Sequence, residues 1–276
     1  MVKPVIYGGD WIDPKGIMDF PTDVDIFAAV EERGRTGRVK KVMAVFFEPE
    51  GTRISNDYVI RTQRRYDLIL TLDPQILAAC PKARFFPFGT SWIRPEDADK
   101  VADKKFGVTM ICGGKDWMPG HKFRRQLWER QDEITIPHVF WRSAVSKPPG
   151  HEGNPNLCSD LPAKYVAFDH MYHVCIENCR VENYFSEKLC DCLVTKTVPL
   201  YWGCRNVHAF FNPNAMIGLP DDCTEIIKLV NNLRPDYYYE RKQAIEMNAA
   251  LVTAYTRDVA LRVGDAIREA LYAQQR

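Results

Sequence analysis

The stretch Tyr172-His173-Val174-Cys175-Ile176-Glu177-Asn178-Cys179-Arg180-Val181-Glu182-Asn183-Tyr184-Phe185-Ser186-Glu187-Lys188-Leu189 passes from strand to loop to helix. Tyr172 to Ile176 reads as a strand rich in aromatic and β-branched residues. It ends at the polar pair Glu177-Asn178 and crosses a polar loop. Residues 186–194 then form a mostly apolar helix that opens with Ser186. A strand that delivers polar groups to the N-terminus of the next helix is the repeating unit of a doubly wound α/β layer.

The same unit recurs along the chain. Residues 42–47, Val42-Met43-Ala44-Val45-Phe46-Phe47, are continuously apolar, as a parallel strand covered on both faces must be, and end at Glu48-Pro49-Glu50-Gly51. Leu68-Ile69-Leu70-Thr71-Leu72 ends at Asp73-Pro74, where Asp73 fits a cap for a helix over 75–80. Strands are expected at 2–7 and 84–88, with a short helix over 25–32 that stops near Gly34. The polar stretch 94–105 reads as a linker. Beyond it come strand 106–111, helix 122–130, a strand near 138–141, a long Pro/Gly/Asn-rich loop over 147–162, strand 197–201 and helix 224–233. Residues 238–273 read as one long helix or two shorter ones. The expected organisation is an N-terminal α/β domain over 1–97 and a C-terminal α/β domain over 98–240. A helical segment over 241–276 is expected to cross back to the first domain.

Composition narrows the function classes. The 276 residues are 46% hydrophobic and 26% charged, which fits a folded globular protein. With 37 basic and 36 acidic residues the formal net charge is +1, so the broad positive footprint of a nucleic-acid-binding protein is missing. No run of apolar residues is long enough to span a bilayer, and the first residues carry no signal-peptide hydrophobic region, so a soluble, cytoplasmic chain is expected. The nine cysteines lack the paired C-x2-C spacing of a zinc site and fit reduced core thiols.

The densest chemistry lies between Glu177 and Asn212. At a helix start, free backbone N–H groups favour an anionic ligand. Lys188 puts a full positive charge there, against the helix dipole, and a diphosphate resolves that conflict. Glu187 can accept hydrogen bonds from sugar hydroxyls. Thr197-Val198-Pro199-Leu200-Tyr201-Trp202-Gly203 then supplies a buried strand, an aromatic edge and a glycine turn beside the same region.

These segments resemble the donor-binding signature of the family 10 glycosyltransferases, the α-1,3/1,4-fucosyltransferases. That signature runs aromatic-Glu-Asn, a short gap, Tyr-x-x-Glu-Lys, a helix, Pro-aliphatic-Tyr-Trp-Gly, then aromatic-Asn-Pro. The chain supplies Ile176-Glu177-Asn178, Tyr184-Phe185-Ser186-Glu187-Lys188, Pro199-Leu200-Tyr201-Trp202-Gly203 and Phe211-Asn212-Pro213. It departs at Ile176, where an aromatic is usual, and at Cys179, where Ser is usual.

The resemblance implies a GT-B type α/β fold, two Rossmann-like domains facing across a cleft. It also implies inverting transfer of fucose from GDP-fucose to a glycan acceptor. Lys188 then contacts the diphosphate, Glu187 the ribose or fucose hydroxyls, and Asn178 and Tyr184 line the pocket. Arg124 is the second phosphate contact, with Arg125 its rival one residue on. No Asp-x-Asp motif that would hold a divalent ion beside a nucleotide diphosphate appears within residues 177–213, so neither a metal nor a cofactor is expected. The general base implied is Glu48, at the carboxyl end of an N-terminal strand, with Glu50 the rival. His121, His138 and His170 share no nucleophile or ligand pattern and read as packing or capping residues. The alternatives are a transferase for another nucleotide sugar on the same fold, or an inactive sugar- or nucleotide-binding protein.

Overall fold

The apolar run after Lys40 forms a parallel strand, as its unbroken hydrophobicity demands. The computed structural model describes residues 5–7, 24–28, 39–46, 54–142 and 161–272. Their contacts divide the chain into two compact units. One comprises Met1–Gly89, Glu182–Tyr184 and Arg257–Arg276; the other comprises Thr90–Val181 and Phe185–Thr256.

The first unit holds a five-stranded parallel sheet in strictly sequential order: β1 (Val5–Tyr7), β2 (Val24–Ala28), β3 (Lys40–Val45), β4 (Leu68–Thr71) and β5 (Ala83–Phe85). Between β3 and β4 runs α1 (Asn56–Thr62), capped by Ser55, whose side chain accepts the Tyr58 N–H at 3.2 Å. Between β4 and β5 runs α2 (Pro74–Ala79), where Asp73 Oδ1 accepts the N–H groups of Gln75 and Ile76 at 2.9 and 3.0 Å. Phe27, Met43, Val59, Tyr66, Ile69 and Ile76 pack into one core. The terminal helix Val259–Tyr272 belongs to this unit. Lys40 Nζ donates to Leu271 O at 3.2 Å, and the Arg262 guanidinium donates to the carbonyls of Pro87, Phe88 and Gly89.

Several expectations fail. Residues 25–28 of the helix expected over 25–32 instead belong to strand β2, every residue of which is buried between β1 and β3, and residues 29–32 lie outside the described residues. Pairing on both edges outweighs the weak local helical pattern. The C-terminal region is not one or two helices but four, with breaks around Arg241, Val252 and Asp258. Asp258 caps the last of them, accepting the Ala260 N–H at 2.8 Å.

The second unit opens on the stretch expected as a linker, which is folded: Pro95 sits in the first turn of α3 (Pro95–Ala98), and a 3-10 turn, Asp99–Val101, follows. Its sheet is β6 (Lys105–Cys112), β7 (His138–Arg142), β8 (His170–Ile176), β9 (Val198–Trp202) and β10 (Ile217–Gly218), in the order β10-β9-β8-β6-β7, all parallel. Strand order therefore reverses between β6 and β8. Alternation sends Tyr172, Val174 and Ile176 of β8 to one core and Cys175 to another. The first core receives α4 (Pro119–Glu129) through Phe123 and Leu127. It also receives α6 (Cys223–Asn231), which follows α5 (Glu187–Val194), through Ile226, Ile227 and Val230. The second core receives α5 through Leu189, Cys190, Cys192 and Leu193. Helices thus cover both faces, as in a doubly wound layer. The eight described cysteines are all buried, and none of them forms a disulfide.

Beyond α6 come α7 (Pro235–Glu240), α8 (Lys242–Leu251) and α9 (Thr253–Thr256). Asn248 of α8 is fully buried; its Oδ1 accepts the Asn212 N–H at 2.8 Å and its Nδ2 donates to Asn212 O at 3.0 Å. Asn248→Ala leaves both backbone groups without partners. It is expected to cost about 1–3 kcal/mol of stability, read as a lower urea midpoint.

Candidate nucleotide-sugar site

In an open parallel sheet, ligands bind beyond the carboxyl ends of the strands where the order reverses. In the second unit that point lies between β6 and β8, and the polar groups the sequence singled out gather there. Glu177 follows β8 directly and is fully buried. Its Oε1 accepts the Ser186 N–H at 2.8 Å and its Oε2 the Ser186 hydroxyl at 2.6 Å. Ser186 is also the N-cap of α5, accepting the Lys188 N–H at 3.3 Å. One serine therefore ties the end of the strand to the start of the helix.

Lys188 Nζ lies 2.9 Å from Glu187 Oε1, 3.1 Å from Ser186 Oγ and 3.7 Å from Glu177 Oε2, with its side chain 23% exposed. Burial alone pushes the ammonium pKa down, but the charges of Glu187 and Glu177 outweigh it and hold the pKa above the ordinary lysine value. Burial pushes Glu187 up; the charges of Lys188 and Lys164 overcome that and bring it down to about 2. For Glu177 burial prevails, and its pKa is raised.

Two glycines make this proximity possible. A Cβ on Gly120 would lie 1.8 Å from Glu177 O, and Gly120 N–H donates to Asn178 O at 2.9 Å. A Cβ on Gly203 would lie 2.5 Å from Glu177 Cγ.

Arg124 and Arg125 separate cleanly. Arg124 is buried on α4 and donates to Ile176 O and, at 2.8 Å, to Asn178 Oδ1. Arg125, one residue on, is half exposed and pairs with Glu129 at 2.9 Å and Asp116 at 3.6 Å. Arg124 thus braces the end of β8 and adds charge beside Asn178. His121, buried one turn earlier, accepts the Met118 N–H on Nδ1 at 3.2 Å. The structure therefore brings together Asn178, Glu187, Lys188 and Arg124. Tyr184 is buried and belongs with Glu182 and Asn183 to the first unit. Glu48 and its rival Glu50 lie outside the described residues.

Several contributors had no role in the sequence reading. Glu177 was one letter in a motif, although an acid directly after a buried strand already signals a partner held in the interior. Asp191, also fully buried, pairs with Lys164 at 2.6 Å and accepts from Ser91 Oγ and Trp92 N–H at 2.7 and 2.9 Å. It anchors α5 to the start of the unit. Asp221 accepts from Trp202 Nε1 and Arg180, and Asp222 caps α6. Among the described residues, no three His, Cys, Asp or Glu side chains gather as a set that could hold a metal ion.

The chain matches no protein-family model. Over 50 residues, 18% of its length, it is 34% identical to the α-(1,3)-fucosyltransferase FucT of Helicobacter pylori. That match spans 10% of the Helicobacter enzyme's own length. Among solved structures it is similar to an α1,3-fucosyltransferase crystallised with GDP-fucose, with a TM-score of 0.50 and 13% identity over 86% of this chain and 78% of the other. It is also similar to a glycosyltransferase from Rickettsia africae, with a TM-score of 0.55 and 11% identity over 91% of this chain and 77% of the other. The chain has the GT-B fold of these glycosyltransferases, and among the described residues no helix is long and apolar enough to cross a membrane.

Gly120→Ala forces a methyl group into the Glu177 carbonyl and must displace α4 or the end of β8. The expected loss is about 1–3 kcal/mol in chemical denaturation. Wild-type stability in this variant contradicts the close approach.

Proposed function

We propose that the chain is an inverting glycosyltransferase that moves L-fucose from GDP-fucose to a hydroxyl of a glycan acceptor without a metal. The observation that carries this reading is the cluster Lys188, Glu187, Glu177 and Arg124. It lies at the strand-order reversal of the second sheet, in a fold shared with an α1,3-fucosyltransferase crystallised with GDP-fucose.

In this reading the acceptor oxygen attacks the anomeric carbon from the face opposite the leaving group. The bond from that carbon to the β-phosphate oxygen breaks, and GDP departs with the electron pair. Lys188 is the direct phosphate contact and stabilises the charge that builds on the leaving group, with the charge of Arg124 behind it. Glu187, ionised throughout the neutral range, accepts from donor hydroxyls. Asn178, held by Arg124, and Tyr184 complete the donor pocket. Glu48, three residues beyond β3, takes the acceptor proton. A cationic pair at the diphosphate does the work that a divalent ion does elsewhere.

Lys188→Ala is expected to lower the transfer rate from GDP-fucose by about a hundredfold, on the order of 3 kcal/mol of transition-state stabilisation. Full transfer by that variant contradicts the assignment. Glu48→Gln is expected to bind GDP-fucose as tightly as wild type by calorimetry while losing transfer. If Glu48→Gln transfers normally and Glu50→Gln does not, the base is Glu50. EDTA is expected to leave transfer unchanged, and activity restored only by Mn²⁺ contradicts the metal-free chemistry.

A further inference from the structure

Asn212, the asparagine of the aromatic-Asn-Pro segment, has no part in the proposed chemistry. It stands at the edge of a cavity of about 630 Å³. The cavity lies wholly in the second unit, between α8 and the 3-10 turn Pro213–Ala215 that leads into β10. β10 runs parallel to β9 and β8, and Glu177 follows the carboxyl end of β8. A turn that enters β10 is therefore at the opposite edge of the sheet from the Lys188 cluster.

The wall of the cavity is fixed from inside. Buried Asn248 grips the Asn212 backbone at both its N–H and its carbonyl. Asn212 Oδ1 in turn accepts the Asn214 N–H at 3.0 Å and shapes the turn. On the helix side Gln243, Ala244 and Met247 share one face of α8, three and four residues apart. Met216 and Ala244, both nearly buried, make an apolar floor flanked by Pro213 and Met247.

The polar groups around that floor are uncommitted. The side-chain amides of Asn214 and Gln243 and the carboxylate of Glu240 are exposed. Among the described residues they form no hydrogen bond or ion pair. Arg241 is engaged elsewhere: its Nη1 donates to Tyr237 O at 2.8 Å, and its guanidinium lies 5.9 Å from the centroid of the Tyr237 ring. With Glu240 beside it, the lining offers no excess of positive charge, and a phosphate is a poor fit. An amide both donates and accepts, and a carboxylate accepts on two oxygens. Three such groups around an apolar floor suit a ring with hydroxyls at its rim and C–H groups on its face.

We infer that this cavity binds a neutral saccharide, apart from the donor cluster. Its volume falls within the roughly 300–1,000 Å³ of small-molecule sites. Asn214 and Gln243 exchange hydrogen bonds with sugar hydroxyls, Glu240 accepts from a neighbouring pair of them, and Pro213, Met216 and Met247 meet the C–H face. A glycan held here stays on the protein at a point remote from the diphosphate contacts. The site goes beyond the donor reading and does not require it.

The test is NMR titration of the full chain, carrying ¹³C-methyl methionine, with lactose, cellobiose and maltotriose in the absence of nucleotide. Met216 and Met247 report on the cavity, and each signal is assigned through its Met→Leu variant. The expected result is a saturable shift of both methyl signals with at least one of the three sugars. Asn214→Ala combined with Gln243→Ala is expected to weaken that binding about tenfold or more, since two hydrogen bonds are lost. Both side chains are exposed, and the double variant is expected to keep the wild-type methionine spectrum in the absence of sugar. No saturable shift at these methyls with any of the three sugars overturns the site. Binding that is unchanged in the double variant, or tighter for glucose 6-phosphate than for the neutral sugars, overturns it equally. None of these outcomes touches the donor reading, and failure of GDP-fucose to bind elsewhere leaves this site standing.

Discussion

A carboxylate that is fully buried must find its partners inside the protein, because removing it from water costs several kcal/mol. Glu177 meets that requirement through Ser186, which supplies both a backbone N–H and a hydroxyl, and through the charge of Lys188. Much of the second unit's functional end follows from this one constraint. The start of α5 is fixed because its cap residue is also Glu177's partner. Position 120 is held to glycine because α4 must pass against the Glu177 carbonyl, and position 203 because the side chain needs room. Lys188 stays charged because two acids face it, and Glu187 stays ionised because two lysines face it.

The sheet order explains why this cluster stands at the carboxyl ends of β6 and β8, where open parallel sheets place their ligands. Between β6 and β8 the crossover helices leave in opposite directions, α4 to one face and α5 to the other. Their N-termini part at the carboxyl ends of those two strands. The first unit's sheet runs in sequential order without such a reversal.

Much of this was legible in the sequence. Apolar runs revealed β3 and β4, Asp73-Pro74 revealed the start of α2, and Ser186 revealed the start of α5. The motif order through Glu177, Lys188, Trp202 and Asn212 led to the family whose fold the chain shares. What was hidden depended on long-range pairing. Strand β2 looks helical alone and is a strand because two neighbours hydrogen-bond it. Which of Arg124 and Arg125 packs against the end of β8 depends on the face of α4 that meets it, a difference of one helical step. The Asp191–Lys164 pair joins residues far apart in sequence and carries no local signal.

The central claim is that this site activates GDP-fucose. The most direct measurement is release of the nucleotide from a panel of GDP-fucose, GDP-mannose and UDP-sugars, followed by chromatography of the products with a glycan acceptor present. The account predicts GDP release from GDP-fucose, with fucose transferred to the acceptor in inverted configuration. Turnover of a UDP-sugar in its place, or tight GDP binding with no donor turned over, would contradict it.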